Sequence, residues 1–145
     1  MILDLDAIEK MWVEDAKIDQ NNLHTESLKI PQLHAKYYNI YNTITLLREK
    51  ARETYNRVRL ERHNYYTGKA PIEVYEEEPF PYKVRDKEAL QRHMDADEKL
   101  NKIDLKIRYY DIMLKFIEEV IKMISNRTYQ IKNSIEFMKF TAGYN

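Results

Sequence analysis

The chain has 145 residues, no net charge at neutral pH and no cysteine, which excludes disulfides, thiolate metal sites and thiol nucleophiles. Two glycines, four prolines and 33% charged residues leave few breaks and favour long helices over sheets, which need many turns. The zero balance argues against a generic polyanion binder, and a mean hydropathy of −0.72 with twelve tyrosines fits helices that each bury one stripe.

The length suits one domain, or one subunit of a larger assembly. No apolar run approaches the ~18 residues of a membrane span, and the start Met-Ile-Leu-Asp-Leu-Asp is acidic, unlike a secretory signal. A cytoplasmic protein is the expectation.

In chain order, Asp4 or Asp6 caps a first helix with Ile8, Met11, Trp12 and Ala16 on one face. The only tryptophan, Trp12, reads as a packing anchor. The helix fades in the polar turn Asp19-Gln20-Asn21-Asn22. Thr25 or Ser27 is the expected cap of the next helix, with Pro31 in its first turn. From Leu33 the apolar positions Tyr37, Ile40, Ile44, Leu47, Ala51, Thr54 and Val58 alternate steps of four and three. This is a heptad seam that needs a partner helix. A helix from Pro31 to Tyr66 spans roughly 50 Å, and Gly68 is placed to cap its end.

Residues 69–83 read as a loop, because Pro71, Pro79 and Pro81 block helix and Ile72-Glu73-Val74-Tyr75 forms at most a short extended piece. Glu76-Glu77-Glu78 reads as solvated surface, or else as a screen for the basic segment before it or a contact for a basic partner. Asp86 caps a helix from Lys87 to about Met94, and Asp95-Ala96-Asp97 kinks or restarts it. A second heptad seam follows at Leu100, Ile103, Ile107, Tyr110, Leu114, Ile117, Ile121 and Ile124, continuing through Thr128, Ile131, Ile135 and Met138. Met113, Phe116, Val120, Phe137 and Phe140 add a second apolar flank. A stripe this wide predicts contact with more than one neighbour, as in an oligomeric bundle. Its weakest point is Ser125-Asn126-Arg127, where a break leaves a separate helix to about Thr141.

The neutral total hides an uneven distribution. Residues 48–69 carry seven Lys and Arg against three Glu, and residues 70–82 carry four Glu with no Lys or Arg. Cations along a backbone and aromatic rings for stacking are what single-stranded nucleic acid needs. The candidate DNA-binding residues are Arg48, Lys50, Arg52, Arg57, Arg59, Arg62, Tyr65, Tyr66 and Lys69, with Arg48, Arg52, Arg59 and Arg62 on one side of the helix. The competing reading pairs the arginines with Glu49, Glu53 and Glu61 or with another helix, and makes the tyrosines core. No glycine-rich phosphate loop occurs, and the four histidines (24, 34, 63 and 93) lack metal-ligand spacing. Carboxylates interleave with Lys and Arg as on a solvated helix face. Neither catalysis, a metal nor a cofactor is expected.

The ordered set His34-Ala35-Lys36-Tyr37, then Tyr65-Tyr66-Thr67-Gly68, then Ser125-Asn126-Arg127 before Ile131-Lys132 and Phe140-Thr141-Ala142-Gly143 resembles the UvsY family of phage recombination mediators over nearly the whole chain. The resemblance implies a single-stranded-DNA-binding homo-oligomeric ring, hexameric to heptameric. It implies as partners a RecA-like phage recombinase and the phage single-strand-binding protein, in recombination, repair and replication in the host cytoplasm. The family motif has a Lys-Ala-Arg core between leucines before an Asp-Tyr-Tyr-Ser-Gly turn. Aligned on Tyr65-Tyr66-Thr67-Gly68, its arginine falls on Arg62, its lysine on Leu60 and its aspartate on Asn64. Arg59, one residue from Leu60, is then a substitute by charge alone.

The expectation is thus a single all-α domain over 1–145, a long-helix hairpin or coiled-coil-like bundle that assembles into a homo-oligomeric ring. Residues 1–68 form a short helix and the long basic-ended one, 69–85 the acidic, proline-containing loop, and 86–145 the heptad helices. The oligomerisation residues are expected among Leu100, Ile103, Ile107, Tyr110, Leu114, Ile117, Ile121, Ile124, Ile131, Ile135 and Met138. The rival is a coiled-coil scaffold or assembly chaperone whose basic segment binds protein.

Overall fold

The computed structural model describes residues 3–143, which are helical with no strand among them. In order the helices are α1 (Leu5–Asp15), α2 (Leu23–Leu28), α3 (Ile30–Tyr66), α4 (Ile72–Glu77), α5 (Lys87–Asp95) and α6 (Glu98–Thr141). No helix among the described residues is long and apolar enough to cross a membrane. The chain divides into two compact units, one of residues 1–45 and 112–145, the other of residues 46–111. The long helices α3 and α6 each contribute to both.

In the first unit the core is Ile8, Leu23, Tyr37, Ile40, Ile44, Met113, Leu114, Ile117, Val120, Ile124 and Ile131. Asp4 caps α1 by accepting from the Ala7 amide at 2.7 Å. At the other end, the Arg127 guanidinium donates to the Asp15 carbonyl at 2.9 Å and lies over Trp12, placing a cation at the negative end of α1. The Asp15 carboxylate accepts from Lys36 and from the Tyr37 hydroxyl, while Trp12 packs edge-on against Tyr37. The first seam of the sequence is therefore anchored, at Tyr37, by hydrogen bonding as well as burial.

Asp19 accepts from Asn21 N–H and the Asn22 amide, forming the expected polar turn. The expected caps Thr25 and Ser27 lie inside α2, which starts after Asn22, and α3 begins one residue beyond the α2 cap Lys29. Pro31 sits in the first turn of α3 as predicted. Ser125-Asn126-Arg127, the weakest point of the seam, does not break the helix: α6 runs through it. The burial of Arg127 against α1 holds that turn in the helix, outweighing the weak helix preference of Ser and Asn.

In the second unit α3 and α6 run antiparallel, as shown by the pairs Arg48–Asp111 and Arg62–Asp97. Its buried apolar residues are Ala51, Tyr65, Tyr66 and Leu100. α3 ends in a Schellman motif, with Lys69 N–H donating to Asn64 and Gly68 N–H to Tyr65. Gly68 adopts φ +80°, which an L side chain resists. The expected extended piece at Ile72–Tyr75 is corrected to the short helix α4. Pro71 precedes it with φ −59°, and the Tyr75 hydroxyl donates to the Tyr65 carbonyl at 2.8 Å, tying α4 to the end of α3. α5 is capped by Asp86 as predicted and stops at Asp95, so the helix restarts at Glu98.

Candidate nucleic-acid interface

The end of α3 divides the predicted cations into three groups. Arg62 is almost fully buried. Its Nε donates to Asp97 Oδ2 at 2.6 Å, and Nη2 donates to Glu78 Oε2 at 2.7 Å. The guanidinium lies 4.2 Å from the Tyr65 ring centroid and 5.2 Å from that of Tyr66, a desolvated cation–π arrangement. The Tyr66 hydroxyl donates to the same Asp97 Oδ2 at 2.6 Å, while Asp97 Oδ1 accepts from Leu100 N–H at the first turn of α6. One aspartate thus caps α6 and fastens the end of α3 to it.

Around this network stands an aromatic cluster. Tyr65 stacks on Tyr75, both Tyr65 and Tyr66 contact Phe80, and Tyr66 contacts His93. Burial, then the Glu78 contact, pushes the Tyr65 hydroxyl up to about 12. Burial and the bond to Asp97 raise Tyr66 as well. Burial alone would raise Asp97, but hydrogen bonds from Tyr66, Leu100 and Arg62 outweigh it and hold the carboxyl below its ordinary value. Arg62 holds Glu78 down in the same way. Burial opposes the charge on Arg62, but hydrogen bonds to Tyr66, Glu78 and Asp97 raise its pKa.

The second group is paired at the surface. Arg48 bridges Asp111 at 3.0 Å, and Arg52 bridges Glu49 at 3.3 Å. The third group comprises Lys50, Arg57, Arg59 and Lys69, which are exposed and make no ion pair among the described residues. Arg52, Asn56, Arg59 and His63 recur at i, i+4, i+7 and i+11, so they share one face of α3. All four are exposed, and the stripe is roughly 16 Å long. Lys50 and Arg57 lie on the opposite face, near Glu53 and Glu61 in register.

The predicted site residues are therefore not presented together. Arg52 and Arg59 stand in an open stripe, whereas Arg62, Tyr65 and Tyr66 are enclosed, their polar atoms and ring faces occupied. Two participants escaped the sequence reading: Asp97 as a partner of Arg62, and Lys99, whose Nζ lies 4.0 Å from Glu78. Asp97 carries the signal of a helix cap, with Leu100 three residues on, but nothing in the pattern links it to Arg62, 35 residues away. Of the expected acidic run, Glu76 and Glu77 are exposed and Glu78 pairs with Arg62, the screening role weighed for that segment.

Along the predicted oligomerisation seam, Leu100, Leu114, Ile117, Ile124 and Ile131 are buried within the chain itself. Ile103, Ile107, Tyr110 and Ile121 are half-buried, and Ile135 and Met138 are exposed. Phe137 and Phe140 are exposed too, at 67% and 74%, leaving the end of α6 with an uncovered apolar surface.

Fold and site together define an all-helical protein built on two long helices, one of which bears an open cationic stripe. The family model described as "Recombination, repair and ssDNA binding protein UvsY" matches residues 11–144; the chain belongs to the UvsY family. Its fold is similar to that of the bacteriophage T4 recombination mediator protein UvsY in several crystal lattices. Lattice type IV gives a TM-score of 0.81 at 19% identity, covering 96% of this chain and 99% of the other. Type II gives 0.81 at 20%, covering 98% and 100%, and type I gives 0.80 at 20%, covering 93% and 98%. A comparison with curated protein sequences finds no match.

Proposed function

We propose that this chain is a single-stranded-DNA-binding recombination mediator that acts without catalysis in the host cytoplasm. It assembles into a homo-oligomeric ring and helps a RecA-like recombinase load onto strands covered by single-strand-binding protein. The observation that carries this reading is the exposed Arg52-Asn56-Arg59-His63 stripe of α3 in a member of a family described by ssDNA binding. Arg52 and Arg59 contact phosphates, with Lys50, Arg57 and Lys69 adding to the local field. Such contacts hold a strand with little reading of base sequence. Arg48 contributes less, because Asp111 and Glu49 already neutralise it.

The uncovered apolar end of α6, with Ile135, Phe137, Met138 and Phe140, supports self-association as the means of assembly. Repeating the stripe around a ring converts weak contacts into tight binding through effective concentration. The test is a titration of labelled oligo-dT at several salt concentrations. Binding that weakens steeply with salt is expected. No binding at low salt overturns the proposal and leaves the scaffold reading.

A further inference from the structure

The Glu78 carboxylate sits between two cations. Oε2 accepts from Arg62 at 2.7 Å, and Oε1 lies 4.0 Å from Lys99 Nζ. Two cations around a pair of oxygens make a setting that also suits a phosphate. A cavity of about 240 Å³ opens here, lined by Arg62, Asn64, Tyr65 and Lys99, with Glu61, Glu77 and Glu78 as its carboxylates. Arg62 and Lys99 are balanced by Asp97 and Glu78. Without Glu78, Arg62, Lys99 and Asp97 together carry one net positive charge, with Glu61 and Glu77 elsewhere on the cavity lining, while Nε of Arg62 stays fixed on Asp97.

The segment that supplies Glu78 is held by a few hydrogen bonds and by the rings of Tyr75 and Phe80. α4 buries no residue fully. Residues 72–84 are attached by the Tyr75 hydroxyl on the Tyr65 carbonyl, the Tyr65 hydroxyl on the Glu78 carbonyl at 2.9 Å and Val84 N–H on the Tyr66 carbonyl at 2.9 Å, with Tyr75 stacked on Tyr65 and Phe80 against Tyr65, Tyr66 and His93. The Glu78 side chain is 43% exposed, so water and anions compete with it for Arg62. An acidic segment laid over the basic end of its own chain neutralises that end until something of like charge replaces it.

We infer that Arg62 and Lys99 form a phosphate site for a single-stranded nucleic-acid backbone, and that Glu78 fills this site in the free protein. A strand engages it by displacing Glu78 and loosening residues 72–84. The inference rests on the single-strand-binding function proposed above. It adds Lys99 to the contacting residues and gives buried Arg62 a way to reach DNA.

The test uses the full chain and fluorescent oligo-dT with Glu78→Gln, Glu76→Gln, Lys99→Gln and the Glu78→Gln/Lys99→Gln pair. Glu76→Gln makes the same charge change at an exposed neighbour, so it measures the general field. Glu78→Gln is expected to bind about fivefold tighter than Glu76→Gln, with a salt slope steeper by about 0.7, the value of one added phosphate contact. Adding Lys99→Gln should remove most of that gain. Equal affinities for Glu78→Gln and Glu76→Gln overturn the inference while wild-type binding leaves the function standing; no binding by any form overturns both. Amide hydrogen exchange on the wild type tests the motion without a variant. Oligo-dT should speed exchange at residues 72–84, and unchanged or slower exchange there overturns the displacement.

Discussion

Arg59 and Arg62 lie three residues apart on α3 and differ in what their loss does to stability. Arg59 is exposed and makes no ion pair among the described residues. Arg59→Ala should weaken oligo-dT binding by about three- to tenfold and flatten its salt dependence by about 0.7, consistent with loss of one phosphate contact. Its melting temperature should stay within a degree or two of wild type, which circular dichroism checks. Arg62→Ala instead leaves Asp97 buried without its cation, and removing one partner of a buried pair costs about 3 kcal/mol. Urea denaturation reads this directly, and a native-like midpoint would show that the pair carries no such burden. The carboxylates predict the pH response. Asp97 and Glu78 titrate below their ordinary values of 3.8 and 4.5, so each stabilises the fold at neutral pH. As pH falls below those values the unfolded chain takes up protons first, and the contribution fades until the lowered native values are passed. The melting temperature should drop between pH 5 and more acid conditions, with a shallower drop in Glu78→Gln.

The elements differ in how far sequence alone specifies them. α3 and α6 are legible because their seams keep a heptad alternation over many turns, and Asp4 and Asp86 mark starts that the structure confirms as caps. α4 was not legible. Six residues between prolines carry too little periodicity, and the helix depends on Tyr75 reaching the end of α3, a contact made only once the chain has folded. Arg62 misleads for a related reason: spacing puts it on the same side as Arg48 and Arg59, but burial is decided by Asp97 and Glu78, which lie far along the chain. Gly68 is the element-scale test. A Cβ there would stand 2.9 Å from Lys83 carbons in a backbone of positive φ. The lysine is flexible and can shift, so the backbone term dominates. Gly68→Ala should cost about 1–2 kcal/mol, seen as a lower urea midpoint.

At the scale of the whole molecule, assembly is the property to separate from DNA contact. Phe137 and Phe140 are exposed in the single chain, and Phe137→Asp with Phe140→Asp should lower the mass seen by sedimentation. Affinity for oligo-dT should fall with it, because one stripe replaces many. A full-mass oligomer from the double variant would place the contact elsewhere on α6. Family membership was legible because it rests on the order of short motifs along the chain, whereas the covering of Arg62 depends on contacts between distant residues.

Trp12, the only tryptophan of the chain, packs against Tyr37 and beneath Arg127, all within the first compact unit. Its fluorescence is therefore an optical probe of that unit alone, and the second unit, which holds Arg62, Asp97 and Glu78, has no tryptophan of its own. Circular dichroism registers the helices of both. Coincident emission and ellipticity curves would mean that the long helices unfold as one cooperative body. Curves that separate would give each unit its own stability from one unmodified sample, with the dye-free native chain serving as its own reporter.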